Sequence, residues 1–199
     1  MCATSQETGD TLHLTSYRSR GPEHLLRKTT IWEAGRATSA ASSFFDPIAI
    51  GDFGEVFVDG ATGANNPVAE VWNEAKDVWP REPFEDNIKC LVSIGTGVPS
   101  LTPFGKNVLE IGQVLLAIAT ETEKTAERFA RDKARLGDEG RYFRFSVLRG
   151  LEDIGLEEYK QKNAIVAATS RYIQSQDVHR QMKACGNNLA ERECMSIFA

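Results

Sequence analysis

The sequence predicts an α/β fold, a mostly parallel sheet flanked by helices, and three observations carry that prediction. Short apolar runs end on glycine turns, as in Val56-Phe57-Val58-Asp59-Gly60-Ala61 and Leu91-Val92-Ser93-Ile94-Gly95-Thr96-Gly97. Segments with helix-capping signatures surround them, at Thr30–Glu33 and at Asn66-Pro67. Strand and helix signals alternate along most of the chain, the pattern of a sheet with helices on its faces.

Taken in order, the region from Cys2 to about Arg18 reads as two strands around the turn dipeptide Gly9-Asp10, with Leu12, Leu14 and Tyr17 supplying strand-type side chains. The chain thus opens almost inside a strand, which is weak evidence for preceding sequence. Thr30 followed by Glu33 is a capping box. It opens a helix on which Ile31, Ala34 and Thr38 share a face. The run from Ala37 to Ser43 is nearly all small residues, suited to close backbone packing. Asp46-Pro47 ends the helical region, because a residue before proline avoids helical angles. Ile48–Ile50 and Glu55–Val58 are short strands around Gly51 and Gly54.

Ala61 to Asn65 reads as a loop. Asn66-Pro67 then reads as an N-cap and first helical proline, followed by Val68, Val71, Trp72 and Ala75 at helical spacing. Leu91–Ile94 has the look of a buried strand. A long helix is expected from about Asn107 to Leu136, apolar in its first half and a charged, solvated face in its second. Arg141–Val147 alternates as a half-buried strand, with Phe143, Phe145 and Val147 on one side. Two terminal helices carry Ile165, Ala168, Tyr172 and Ile173, then Val178, Met182, Cys185 and Leu189. Trp32, Trp72 and Trp79 read as packing residues.

Bulk properties narrow the function. At 199 residues the chain can bury one real core. A net charge of −5 gives no support for nucleic-acid binding. No apolar run approaches a transmembrane span. Met1-Cys2-Ala3-Thr4-Ser5 has neither the basic nor the apolar part of a signal peptide. Cys2, Cys90, Cys185 and Cys194 lack C-x-x-C spacing, which argues against zinc. They read as free thiols, and a cytoplasmic location follows as an expectation. His13, His24 and His179 show no ligand spacing and read as surface or structural residues. Nothing implies a cofactor or a metal.

The chemistry concentrates at Asp59. An apolar strand delivers a carboxylate onto a glycine turn, and in open α/β sheets functional groups gather outside the carboxyl ends of strands. Gly60 gives the turn freedom and admits a close neighbour. A carboxylate there can accept a proton from a hydroxyl. Asp-Gly is also a common turn dipeptide, so spacing alone favours a simple strand-ending turn. The Gly95-Thr96-Gly97 segment completes neither a dinucleotide nor a P-loop pattern and reads as a turn.

Three segments together resemble the patatin-like phospholipase family. Ala37-Thr38-Ser39-Ala40-Ala41, Asp59-Gly60-Ala61 and Ser93-Ile94-Gly95-Thr96-Gly97 are similar to its A-T-S-A-A, D-G-A/G and S-I-G-T-G segments, in the family's order. The resemblance covers nearly the whole chain and weakens after Gly97. It departs at Ser42, where proline is frequent, and at Gly35, where alanine is. It implies a Ser–Asp dyad hydrolase of phospholipid or neutral-lipid acyl esters, with Asp59 as proton acceptor and association with lipid surfaces. No G-x-S-x-G elbow and no glycine-rich oxyanion loop occur in these residues. In the family both precede the region corresponding to Cys2, so residues 1–199 are expected to be the C-terminal portion of a patatin-like domain, inactive alone. Ser39, Ser42, Ser43 and Ser93 are not on a strand–turn–helix elbow. Two other readings stay open: a non-catalytic lipid-binding or interaction module, and an unrelated α/β domain. A dyad fragment should leave Asp59 at an open groove where a strand is absent, with exposed sheet edge and poor solubility.

Overall fold

The computed structural model describes residues 1–42, 44–80, 83–97, 109–152, 154–155 and 158–190, the side chains of 109–116 and 119 excepted. In chain order the elements are β1 (Cys2–Ser5), β2 (Thr11–His13), α1 (Glu23–Lys28), α2 (Ile31–Thr38), β3 (Ile48–Ile50), β4 (Glu55–Asp59), α3 (Ala61–Ala64) and α4 (Val68–Val78). There follow β5 (Leu91–Ile94), α5 (Leu109–Asp132), α6 (Ala134–Asp138), β6 (Tyr142–Phe145), α7 (Lys162–Gln174) and α8 (Gln176–Ala190). The chain divides into two compact units, Met1–Arg81 with Pro103–Ala126, and Glu82–Thr102 with Glu127–Ala199.

The first unit holds a four-stranded sheet in the order β2-β1-β4-β3. All its pairings are antiparallel. The expected mostly parallel sheet is therefore corrected: among the described residues only β5 and β6 pair in parallel. Connection length is the reason. Tight turns join β1 to β2 and β3 to β4, the latter closed by the Gly54 N–H donating to the Gly51 carbonyl at 3.2 Å. A tight turn can only reverse the chain, whereas a parallel pair needs a long crossover. The β5–β6 connection supplies one, with α5 and α6 inside it.

Helix α2 covers one face of this sheet, and Ala3, Leu14, Leu25, Ala37, Ile50 and Phe57 form the buried cluster between them. The capping box is present in full: Thr30 accepts from the Glu33 N–H, and the Glu33 carboxylate accepts from the Thr30 N–H at 2.8 Å. Those hydrogen bonds from Thr30 hold the Glu33 carboxyl below the usual range. The helix stops at Thr38, earlier than Asp46-Pro47 would require, because Ser39 leaves helical angles. Ile31 lies at the outer end of α2 and is 88% exposed, so it does not share the buried face with Ala34 and Thr38. Among the tryptophans only Trp72 is buried; Trp32 and Trp79 are exposed, which corrects their reading as packing residues. Helix α4 starts one residue later than expected: Pro67, not Asn66, holds the N-cap position and no side chain caps it, while Asn66 Oδ1 accepts from the Val68 N–H at 3.4 Å from one residue further out.

The second unit packs Phe84, Phe129, Leu136, Phe143, Val147 and Cys185 as buried apolar residues. Phe143 and Phe145 share one side, their rings stacked at 6.2 Å, but the expected half-buried alternation fails at Ser146, which is buried beside Val147 while Phe145 is only partly so. Strand β5 departs from its expected burial. Ile94 is exposed and Ser93 is buried, because the Arg144 guanidinium reaches over from β6 and donates to Ser93 Oγ at 3.0 Å. The long helix breaks at Lys133, whose backbone leaves helical angles while its ammonium pairs with Glu85. Asn107 and Val108, the expected helix start, lie outside the described residues. Arg141 ties the strand to its flank by donating to the carbonyls of Glu85 and Ile88 at 2.5 and 2.6 Å.

Candidate functional site

Asp59 is the last residue of β4 and is half-buried. Alternation puts Phe57 and Asp59 on the α2-covered face of the sheet and Val56 and Val58 on the other. Its backbone is held from two sides. Ala3 is its partner in β1, and its N–H donates to the Ala40 carbonyl at 3.0 Å. Thr4 Oγ1 donates to its carbonyl at 3.2 Å. The structure thus brings the Ala37–Ala41 segment against Asp59-Gly60-Ala61, two of the three motif segments singled out in the sequence. The third, Ser93–Gly97, belongs to the second unit.

The carboxylate itself is half engaged. Oδ1 accepts from the Ala61 N–H at 2.7 Å, across the turn that leads into the short helix α3, whose N-cap is Gly60. That helix, Ala61–Ala64, replaces the expected loop. Oδ2 has no hydrogen-bond partner among the described residues. Gly60 has ordinary right-handed angles, so its identity is not set by backbone freedom. Crowding sets it: a Cβ there would lie 2.3 Å from the Cys2 carbonyl oxygen.

The expected vacancy beside Asp59 is corrected by the strand order. β4 lies between β1 and β3, so it is not an edge strand. An open groove of about 750 Å³ does run nearby. Thr4, Val58 and Thr62 line it along the sheet, with Phe44, Phe45 and Arg36 opposite, and Asp59 is not in its lining. The Arg36 guanidinium stacks over Phe45 at 5.4 Å.

Serines near Asp59 are committed to structure. Ser39 is the C-cap of α2 and donates to the Gly35 carbonyl. Ser42 sits in a turn, and Ser43 lies outside the described residues. In the second unit the Ser93-Ile94-Gly95-Thr96-Gly97 turn is shaped by crowding and angle. A Cβ on Gly95 would meet Arg144 and Ser146 within 2.7 Å, and Gly97 has φ +116°.

One constellation was not legible beforehand. Both ring nitrogens of His13 meet carboxylates of α4, Nε2 with Glu70 at 3.0 Å and Nδ1 with Glu74 at 3.1 Å. This clamp ties β2 to α4, which gives His13 a structural role. Burial pushes the neighbouring Cys2 thiol up, the N-terminal charge opposes it, and both glutamates add to the rise. The i, i+4 spacing of Glu70 and Glu74 signalled a shared helix face, but nothing local named its partner. Among the described residues no cluster suits a metal ion, and no helix is long and apolar enough to cross a membrane.

The arrangement is a carboxylate at a strand end, braced by a small-residue segment. Comparison with known proteins gives the relationship. The chain is 35% identical over 154 residues to "Phospholipase A I" of Arabidopsis thaliana, covering 74% of this chain and 11% of that protein. It is 33% identical over 137 residues to "Calcium-independent phospholipase A2-gamma" of Rattus norvegicus, covering 66% and 16%. For the protein of that name in Oryctolagus cuniculus the figures are 31% over 160 residues, 77% and 19%. The chain is a homologue of these patatin-domain phospholipases. It spans between about a tenth and a fifth of their length. No family model matches the chain.

Proposed function

We propose that residues 1–199 are the base-bearing, C-terminal portion of a patatin-like catalytic domain. In this reading Asp59 is the proton acceptor of a Ser–Asp dyad that cleaves acyl esters of phospholipids or neutral lipids, in the cytoplasm and at lipid surfaces. The observation that carries it is the carboxylate: Oδ1 is fixed by the Ala61 N–H while Oδ2 is left for another donor. Homology to proteins named as phospholipases supports the substrate class.

A serine hydroxyl is a weak nucleophile until a base takes its proton. Oδ2 would accept that proton as the serine attacks the ester carbonyl, and an oxyanion site would stabilise the charge developing on oxygen. Asp59 supplies the base alone. The serine and the oxyanion donors come from sequence bearing a G-x-S-x-G elbow, which these residues do not contain. The isolated chain is therefore expected to be inactive. Hydrolysis of a chromogenic acyl ester by the purified chain, lost on Asp59→Asn, would falsify this.

The two-sided pairing of β4 favours a second reading, a non-catalytic lipid-binding or interaction module in which Asp59 only holds the turn into α3 through the Ala61 N–H. The coding sequence immediately upstream of Met1 separates the two. An in-frame G-x-S-x-G supports the hydrolase, and its absence supports the module.

A further inference from the structure

Helix α8 is held to the second unit by very little. Among its residues only Cys185 is buried, at 6% exposure, while Met182 and Leu189 face solvent. Asn188 adds one tie, donating from Nδ2 to the Gly140 carbonyl at 2.7 Å. Cys185 Sγ lies 3.9 Å from Cys90 Sγ, on the residue that leads into β5. Both are free thiols, ninety-five positions apart in sequence. Cys90 is half-buried and open to a small reagent, whereas Cys185 is enclosed.

The geometry points to an intramolecular disulfide between Cys90 and Cys185, formed by a hydroperoxide oxidant, as a modification site that staples α8 to the start of β5. The sulfurs must close from 3.9 Å to about 2.05 Å. Side-chain rotation and a small shift of an exposed helix can supply that. The reaction balances in two steps. Cys90 thiolate attacks a peroxide oxygen, the O–O bond breaks, and water leaves (an alcohol, for an organic peroxide), giving a sulfenic acid on Cys90. Cys185 Sγ then attacks that sulfur, the S–O bond breaks, and a second water leaves with the Cys185 proton. Two electrons pass from the thiol pair to the peroxide.

Rate and permanence follow from the surroundings. Burial pushes the Cys90 thiol up to about 11, and its hydrogen bond with Cys185 adds to the rise. The attacking species is the thiolate, so at neutral pH it is scarce and oxidation is slow. The linking rate should rise by roughly tenfold per pH unit between about pH 7 and 9, since the thiolate fraction does. Closing so long a loop restrains the unfolded chain strongly.

The test is peptide mapping of the full chain after hydrogen peroxide treatment, with free thiols alkylated and no reductant added. The expected product joins the Cys90 and Cys185 peptides, is reversed by dithiothreitol, and forms faster at pH 9 than at pH 7. It is abolished by Cys90→Ser and kept in Cys2→Ser. Hydrogen exchange in 176–190 should slow by several-fold on oxidation. The proposal is overturned if Cys90 or Cys185 links mainly to Cys2 or Cys194. Linkage between two chains, or further oxidation of the two thiols without linkage, overturns it equally. Linkage without slower exchange in α8 overturns the staple. The wild-type map decides the matter even if Cys90→Ser does not fold.

Discussion

The first unit is built on hairpins around one connected apolar cluster, whereas the second is built on a crossover with weakly anchored helices at its end. In the first, Phe57, Ala3 and Ala37 are fully enclosed and Asp59 extends the same strand. In the second, α7 buries no residue completely and α8 only Cys185. Tight turns bring strands together cheaply in entropy, while a crossover must order many residues before its strands meet. The candidate catalytic carboxylate sits in the tightly packed region, which suits a group whose position matters to within fractions of an ångström.

The strongest way to break this contrast is Phe57→Ala. Removing a fully buried aromatic should cost about 3–5 kcal/mol, read from urea unfolding by circular dichroism. A cost below about 1 kcal/mol would show that the cluster is not the core it looks to be.

Gly60→Ala probes the site's own packing. The new methyl would meet the Cys2 carbonyl at 2.3 Å, so β1 must shift, at about 1–3 kcal/mol. Gly35→Ala is the matched opposite. A Cβ on Gly35 has nothing within 4 Å, so a better helix former should stabilise α2 by about 0.5–1 kcal/mol. The pair sharpens the claim that crowding, not backbone freedom, fixes Gly60. At the weak end of the contrast, Leu189→Ala on exposed α8 should change stability by less than about 0.5 kcal/mol.

Local signals were legible in the sequence. The Thr30–Glu33 box, the Gly51–Gly54 turn and the shared side of Phe143 and Phe145 all depend on residues close in the chain, and each is in place. Long-range relations were not. The antiparallel β1–β2 and β3–β4 pairs follow from turn lengths that were visible, but the α/β pattern suggested parallel pairing, and the β1–β4 pair joins segments far apart in the chain. Apolar content misread β5, where Arg144, on another strand, buries Ser93 and leaves Ile94 outside. The His13 clamp and the Cys90–Cys185 pair join residues far apart in sequence, so no spacing rule reaches them. At the site, Asp59-Gly60-Ala61 was legible as a motif. The half-engaged carboxylate, and the Cys2 carbonyl pressing on Gly60, needed coordinates.

The most direct measurement joins the 199-residue chain to an upstream segment carrying a G-x-S-x-G elbow and its oxyanion loop. Its hydrolysis of a chromogenic acyl ester is then compared with that of the Asp59→Asn variant, both checked for folding by circular dichroism. The account predicts turnover in the parent and a kcat lower by roughly 10²–10⁴-fold in the variant. Equal turnover in the two folded proteins would contradict it.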